Sequence, residues 1–563
     1  MLFVFVLTLL FSLYLIGRLA WIQIVLADEL YDQAWRQWNH NIVVQVGRGA
    51  IYDQHGRLLA GSTEVQTVVA IPQKIADPEV VAGALAPVLS MNERDIAELV
   101  TLDRSAVYIK RKVDPEITEA VREMNLPGIV FFNEEKRYYP GGNLASQLLG
   151  FVGMDQGWSG LEFYYEQYLS GSESRLHFPA DALGRQLSRN YFGNPLPKQS
   201  YNLYLAIDES IQHIAERELE RVMAEAAPRQ VLAIAVDPYS GAVLAAAARP
   251  DFNPHYFTDF DPERWTLAPF TTSFEPGSTL KLVTLAAVLE EGLLDPEEHF
   301  YCPGFVMVNS QRINCWTADR GGCGNITFRQ ALAVSCNPAF VTLSRKIGAQ
   351  KLSGYIDFFG FGKTTGIDYP GESSGLVFGA SSLGPLELAT TSFGQGISVT
   401  PIQQAMAVAA MINGGYLYKP YLVKEIRSRD GETIFKREPE LVRQVISAGT
   451  SEKLVELMET VILEGTGRTA ALEGYRVAGK TGTAKKLGED QLYRSDSYIY
   501  SFVGFAPVEA PRIVLFVSVD GVTKGPRFGS ATSVPLFKRI MEDTLNYLQV
   551  TPTVVTSIKE DLN

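Results

Sequence analysis

A serine hydroxyl becomes a useful nucleophile only when a neighbouring group takes its proton, and Ser278 has a lysine, Lys281, three residues further on. The run Phe274-Glu275-Pro276-Gly277-Ser278-Thr279-Leu280-Lys281 leads into Leu282, Val283, Leu285, Ala286, Val288 and Leu289, a pattern that suits a buried helix. Three residues is slightly less than one turn, so Ser278 and Lys281 are expected to face the same way near the helix start. Lysine acts as a base once burial or a second cation lowers its pKa. Alone, S-x-x-K reads equally well as a helix cap followed by a surface lysine. Two further segments change its weight. Ser335-Cys336-Asn337 follows the apolar run 328–334, and Lys480-Thr481-Gly482 continues into Thr483.

Attack by Ser278 on a carbonyl would create an oxyanion, which needs preorganised donors. The backbone N–H of Ser278 at a helix start and that of Thr483 on a strand edge are the candidates. Gly482 has no side chain, so an extended substrate could lie along the strand there. Lys480 would hold a substrate carboxylate and help keep Lys281 deprotonated by like-charge repulsion. Ser335 could relay a proton to a leaving amine, and Asn337 could orient Lys281 or hold a substrate amide. The hydroxyls of Thr481 and Thr483 could bind a carboxylate. Read singly, Ser335-Cys336-Asn337-Pro338 is an N-cap with a turn and Lys480-Thr481-Gly482 an exposed strand start; only the ordered set carries the chemical reading.

The elements that must position these residues follow from the rest of the chain. At 563 residues, two or three domains are expected. A hydrophobic content of 46 % with 20 % charged residues is that of a packed globular protein. The net charge of -13 argues against a nucleic-acid partner. Only 6 histidines occur, without zinc-protease spacing, so no metal and no cofactor are expected.

Residues 1–17 carry no charge and are mostly Leu, Phe and Val, and Trp21 to Leu26 extend the apolar character beyond Arg18. Seventeen residues make roughly 25 Å of helix, close to a bilayer core of about 30 Å. Arg18 can snorkel. A basic leader and a small-x-small cleavage site are both missing, which favours a retained transmembrane anchor at 1–27 over a cleaved signal peptide. The bulk of the chain is then expected outside the cytoplasm, and the lack of Lys or Arg before residue 18 suggests a longer natural N-terminus.

After the anchor, 28–41 reads as a helix, 41–46 as a strand and 50–60 as a hairpin about a polar turn at 53–56. Helical spacing recurs at 72–99 and 115–124. No nucleophile sits beside a base here, so 28–215 reads as a mixed, mostly-β scaffold or docking domain. Residues 231–236 and 242–248 flank the turn Asp237-Pro238-Tyr239-Ser240-Gly241, the first hairpin of a domain over 216–550. Helical patterns follow at 328–334, 338–347, 352–359, 401–412 and 441–463, then strands at 498–505 and 512–519 and a last helix at 534–547. The second sheet is therefore built from strands distant in sequence, with a helical insert between them carrying two of the three motifs. Residues 551–563 read as a flexible tail. The fold class is α+β.

The order S-x-x-K, S-x-N, K-T-G resembles the serine-reactive penicillin-recognising enzymes. Arg48-Gly49-Ala50-Ile51-Tyr52-Asp53, Gly160-Leu161-Glu162, Val236-Asp237-Pro238, Phe252-Asn253-Pro254 and Gly394-Gln395-Gly396 extend that likeness along nearly the whole chain, to the class B penicillin-binding proteins. The resemblance implies a membrane-anchored peptidoglycan D,D-transpeptidase with a non-catalytic pedestal and a C-terminal domain like the serine β-lactamases, an antiparallel sheet flanked by helices. It implies that Ser278 is acylated by the penultimate D-alanine of a stem peptide and that a neighbouring strand's amine resolves the acyl-enzyme into a cross-link. Catalysis would then rest on Ser278, Lys281, Ser335, Asn337 and Lys480, with Thr481, Gly482 and Thr483 binding substrate. β-Lactams would block Ser278, and a membrane glycosyltransferase would be the partner, contacted through the pedestal and anchor.

Cys302-Pro303-Gly304, Cys315-Trp316 and Ser335-Cys336-Asn337-Pro338 look like the Gram-positive sporulation and division branch, in which a His-Gly is usual where Cys323-Gly324 stands here. The 4 cysteines lie within 302–336, and Cys302 with Cys315, which flank a strand-like segment, is the disulfide expected. Spacings of 13, 8 and 13 residues lack the close pairs of a zinc site. Three other activities use or mimic the same motifs. A D,D-carboxypeptidase would share every residue named. A β-lactam sensor would need added transmembrane helices, and a secreted class D β-lactamase would not need the preceding 200 or so residues. A non-catalytic wall scaffold would not need the complete motif set.

Overall fold

The computed structural model describes residues 1–30, 39–45, 47–170, 173–179, 200–487 and 493–553. The helix Leu2–Ala20 runs on as a π-helical turn Trp21–Val25. These 24 residues are long and apolar enough to cross a membrane, and none is buried against the rest of the chain. Most of the helix expected over 28–41, the stretch 181–199 and the tail from 554 lie outside the described residues.

In the N-terminal half the expected hairpin forms from Ile51–Tyr52 and Leu58–Ala70. Its turn is held by Asp53, whose Oδ1 accepts the N–H groups of His55 and Arg57 at 2.8 Å each. Leu58–Ala70 also pairs with Val107–Val113 and Ile129–Tyr138. The helices Pro78–Leu89, Glu93–Val100 and Pro115–Glu123 cover this end of the sheet, burying Leu85, Ile96 and Val121 against Val68 and Ile109. Thus 72–99 is two helices rather than one, broken where Ser90 takes a left-handed cap (φ 50).

In the C-terminal half a five-stranded antiparallel sheet runs in the order Ala478–Leu487, Tyr493–Ala506, Ile513–Asp520, Gln230–Val236, Val243–Arg249. Strands from the two ends of the domain are therefore hydrogen-bonded neighbours, as expected. One face is covered by Glu209–Ala226 and Ser533–Tyr547 through Ile211, Leu219, Phe537 and Ile540. The other face carries Lys281–Glu290 and Pro401–Ile412. All 12 residues of Pro401–Ile412 are buried, which suits a helix that is apolar apart from Gln403 and Gln404, both of them hydrogen-bonded. Thr400 and Gln403 close its start with a reciprocal capping box.

The helices expected at 338–347 and 352–359 both form, within Asn337–Phe358, and are parted at Gly348 (φ 76, ψ 161). Two expectations need correction. The helix expected from 441 begins at Ala448, because Leu441–Gln444 pairs as a strand with Tyr416–Tyr418. The boundary expected at 215/216 falls inside Glu209–Ala226, whose apolar side packs wholly with the second sheet. We place the division ahead of Asp208.

The two halves are joined by more than a linker. Tyr201–Leu205 pairs in parallel with Ile51–Tyr52 and antiparallel with Val423–Ser428, so C-terminal strands extend the N-terminal sheet. Asp368 fixes this seam, accepting from Tyr165 Oη at 2.7 Å and from the N–H groups of Leu422 and Val423 at 2.6 and 2.8 Å. Beside it, Phe151 stacks on Phe257 at 4.1 Å and meets Trp265 edge-on at 4.9 Å.

Candidate active site

Ser278 lies in the 3-10 turn Gly277–Thr279 that opens the helix Lys281–Glu290. Gly277 has φ 54, and a Cβ there would stand 2.6 Å from the Thr483 carbonyl oxygen. On the other side Gly394 accepts the Gly277 N–H at 3.0 Å, and a Cβ on Gly394 would fall 2.1 Å from the Gly277 oxygen. The Ser278 turn is thus clamped between the edge of Ala478–Leu487 and the loop at 394–396. Gly482 serves the same packing. A Cβ there would meet Ser501 Oγ of the neighbouring strand at 2.2 Å and Thr279 Cγ2 at 3.0 Å, so its bareness lets the strand pack against both.

Ser278 is half-buried, and among the described residues its hydroxyl makes no hydrogen bond. Lys281 is wholly buried and turns to the second motif. Its Nζ donates to the Ser335 carbonyl oxygen at 2.8 Å, to Ser335 Oγ at 3.1 Å and to Asn337 Oδ1 at 2.7 Å. Lys480, also wholly buried, donates to the same Ser335 Oγ at 3.0 Å and to the Thr481 carbonyl oxygen at 3.1 Å. Two lysines from segments about 200 residues apart therefore converge on one hydroxyl. Ser335 achieves this from a left-handed backbone (φ 57), a strained conformation for a non-glycine residue.

Burial is the main cause that lowers Lys281, to about 7. Lys480 is also pushed well down, first by burial and then by the nearby charge of Lys281. The expectation that Lys480's charge would depress Lys281 is therefore reversed: burial lowers Lys281, and the like-charge effect falls on Lys480.

The remaining expected residues divide by exposure. Thr481 is half-buried and Thr483 is exposed on the open edge of the strand, whereas Lys480 lies behind them. A ligand carboxylate would meet the threonine hydroxyls directly and Lys480 through them. Several contributors escaped the sequence reading. Thr466 Oγ1 pairs with Thr481 Oγ1 at 2.8 Å, and the Thr466 N–H donates to the Ala333 oxygen at 3.0 Å. The Gly465-Thr466-Gly467 run was its only signal. Trp316 Nε1 donates to the Val334 oxygen at 2.7 Å while its ring stays exposed.

The Cys302–Cys315 disulfide expected is not formed; both cysteines are free. The segment between them is not one strand but a hairpin, Phe305–Val308 with Gln311–Asn314, turning at Asn309 (φ 52). The hairpin does return its ends to one place, yet Cys323 and Cys336 arrive there as well.

The sequence matches two family descriptions, "Penicillin binding protein transpeptidase domain" over 231–542 and "Penicillin-binding Protein dimerisation domain" over 43–205. Among curated relatives, Stage V sporulation protein D of Bacillus subtilis is 40% identical over 542 residues, 95% of this chain and 83% of its own length. Peptidoglycan D,D-transpeptidase FtsI of Escherichia coli is 31% identical over 554 residues, 97% of this chain and 91% of its own. The fold is that of penicillin binding protein 3 from Mycobacterium tuberculosis, solved with aztreonam, at TM-score 0.71 and 23% identity over 91% of this chain and 98% of that one. A peptidoglycan synthetase from Bifidobacterium adolescentis aligns at TM-score 0.74 and 24% identity, covering 92% and 98%.

Proposed function

Because the chain belongs to the penicillin-binding protein family, with a transpeptidase domain preceded by a dimerisation domain, we propose that it is a peptidoglycan D,D-transpeptidase working through an acyl-enzyme on Ser278. The convergence of two buried lysines on Ser335 Oγ, beside a serine whose hydroxyl has no hydrogen-bond partner among the described residues, carries this reading.

In this mechanism neutral Lys281 takes the Ser278 proton as Oγ attacks the penultimate D-alanine carbonyl. The N–H groups of Ser278 and Thr483 receive the oxyanion. Ser335, between the lysines, hands a proton to the departing D-alanine amine, and Thr481 and Thr483 hold its carboxylate with Lys480's charge behind them. Asn337 keeps Lys281 in place. An amine from a second stem peptide then takes the acyl group and frees Ser278. β-Lactams enter the first half of the cycle and stall there. The N-terminal helix anchors the chain with its bulk outside the cytoplasm, where the pedestal meets a glycan-polymerising membrane partner.

Incubating the detergent-purified protein with a donor ending in D-Ala-D-Ala and a D-amino-acid acceptor should yield the cross-acylated product, with D-alanine released in equal amount. Hydrolysed donor alone, unchanged by added acceptor, would instead establish a D,D-carboxypeptidase.

The acylation rate should rise as pH passes through about 7, since Lys281 must lose its proton to act as base. Below that point the rate should fall about tenfold per unit, whereas a lysine with its ordinary pKa would keep it climbing beyond pH 9. Stopped-flow acylation with a chromogenic cephalosporin across pH 5.5 to about 9 separates the two profiles.

A further inference from the structure

We propose that Cys302, Cys315, Cys323 and Cys336 form a tetrathiolate site for one thiophilic divalent cation of tetrahedral preference, zinc by its chemistry, which ties the 299–327 lobe to the loop bearing Ser335 and Asn337. All four Sγ atoms lie within 4.8 Å of one another, and the Cys315–Cys323 pair is at 3.6 Å. Four sulfurs about 2.3 Å from a common zinc are about 3.8 Å apart, so a small inward movement closes the site. A disulfide needs sulfurs about 2.05 Å apart and joins them only in twos. Four free thiols meeting at one point fit a shared centre better than either.

The surrounding backbone supports this geometry. Each cysteine comes from a separate place: the end of His299–Cys302, the residue after Gln311–Asn314, the residue before Gly324–Thr327, and the N-cap of Asn337–Phe358. Gly304 (φ 94) and Gly322 (φ 91) let the Cys302 and Cys323 turns press together, for a Cβ on Gly322 would lie 2.3 Å from the Cys302 oxygen and from the Gly304 nitrogen. Thr317 Oγ1 donates to Cys315 Sγ at 3.2 Å and stands 3.3 Å from Cys323 Sγ. The Cys315 N–H donates to the Gly304 oxygen at 2.8 Å. Cys302, Cys315 and Cys336 are buried and Cys323 is half-buried, which leaves one side for an ion to enter.

Binding is an exchange of protons for metal: four S–H bonds break, four metal–sulfur bonds form and four protons leave, with no oxidant needed. The spacings of 13, 8 and 13 residues argued against a metal in the sequence, because they omit the short C-x-x-C knuckle. The fold supplies the equivalent by folding turns over one another. Cys336 lies between Ser335 and Asn337, and Asn337 Nδ2 donates to the Asn314 oxygen at 3.3 Å, so the ion would brace the loop that holds Lys281.

The test is elemental analysis of the full chain purified in detergent under reducing conditions without chelator, after equilibration with zinc chloride. About one zinc per chain is expected. The four thiols should be unreactive to a thiol reagent until a chelator is added, and cobalt(II) exchanged into the site should give thiolate-to-metal absorption. Cys323→Ala should lose the zinc, and Cys323→His, which restores a ligand, should regain it. Failure of that variant to fold would leave Cys302→Ser and the wild-type stoichiometry to decide. A reduced wild-type protein holding no zinc after equilibration, or a chain with fewer than four thiols when denatured without reductant, overturns the proposal in favour of free thiols or disulfides. None of these readouts uses Ser278, so they stand apart from the transpeptidase reading.

Discussion

Ser278→Ala should abolish the covalent adduct that the wild-type chain forms with a labelled penicillin, read by intact mass. The other hydroxyl of that turn, Thr279 Oγ1, is buried and donates to the Pro276 oxygen at 2.8 Å and to Gln404 Oε1 at 3.1 Å, so it is no ready substitute. The companion variant Lys281→Met should keep the adduct but slow its formation by about 10³-fold, the scale of a lost general base. Its residual rate should no longer show the inflection near 7 that belongs to the lysine. Removing the ammonium also strips partners from the Ser335 carbonyl, Ser335 Oγ and Asn337 Oδ1, so a melting curve must accompany the kinetics. A folded Ser278→Ala protein that still acquires one penicillin would mean that another residue is the nucleophile. An unchanged rate in Lys281→Met would pass the base role to Lys480.

The second large effect lies far from the chemistry. Glu162 is wholly buried and is gripped by Arg48 Nε at 2.6 Å and Arg137 Nε at 2.6 Å, while Arg48 also reaches Glu166 at 2.7 Å. Glu162→Ala would leave two guanidinium groups in the protein interior with their shared carboxylate gone. Breaking a buried pair from one side costs about 3–5 kcal/mol, because the uncompensated charge remains. The unfolding transition should therefore drop by roughly 10 °C. The penicillin adduct at 25 °C or so should persist, since Ser278 belongs to the other half. A melting point within a degree or two of wild type would show that water reaches the arginines. This network also explains why Arg48 and the Gly160-Leu161-Glu162 element, more than 100 residues apart, both stood out in the sequence: they are two sides of one buried contact.

Much of the chemistry was legible without a structure. Ser278 and Lys281 are three residues apart, so the helix itself fixes their relation. The 24-residue apolar helix, the hairpin about Asp53 and the largely apolar Pro401–Ile412 are likewise local, each decided by periodicity or a turn residue within one short window. The motif order further named the set of residues that would work together.

Everything that depends on two distant segments meeting was decided by tertiary structure. That both lysines are wholly buried, and that both donate to Ser335 Oγ, follows from packing the strand Ala478–Leu487 against a loop some 145 residues earlier. That Gly482 also makes room for Ser501 and Thr279 depends on segments its own sequence does not contain. The domain boundary moved because a helix is assigned by the face it buries, not by where composition shifts. The four cysteines show the limit most plainly. Their spacing in sequence resembles no metal site, yet chain turns relieved by glycine bring their sulfurs within 4.8 Å. Sequence records separations along a chain, whereas coordination and proton transfer depend on separations through space.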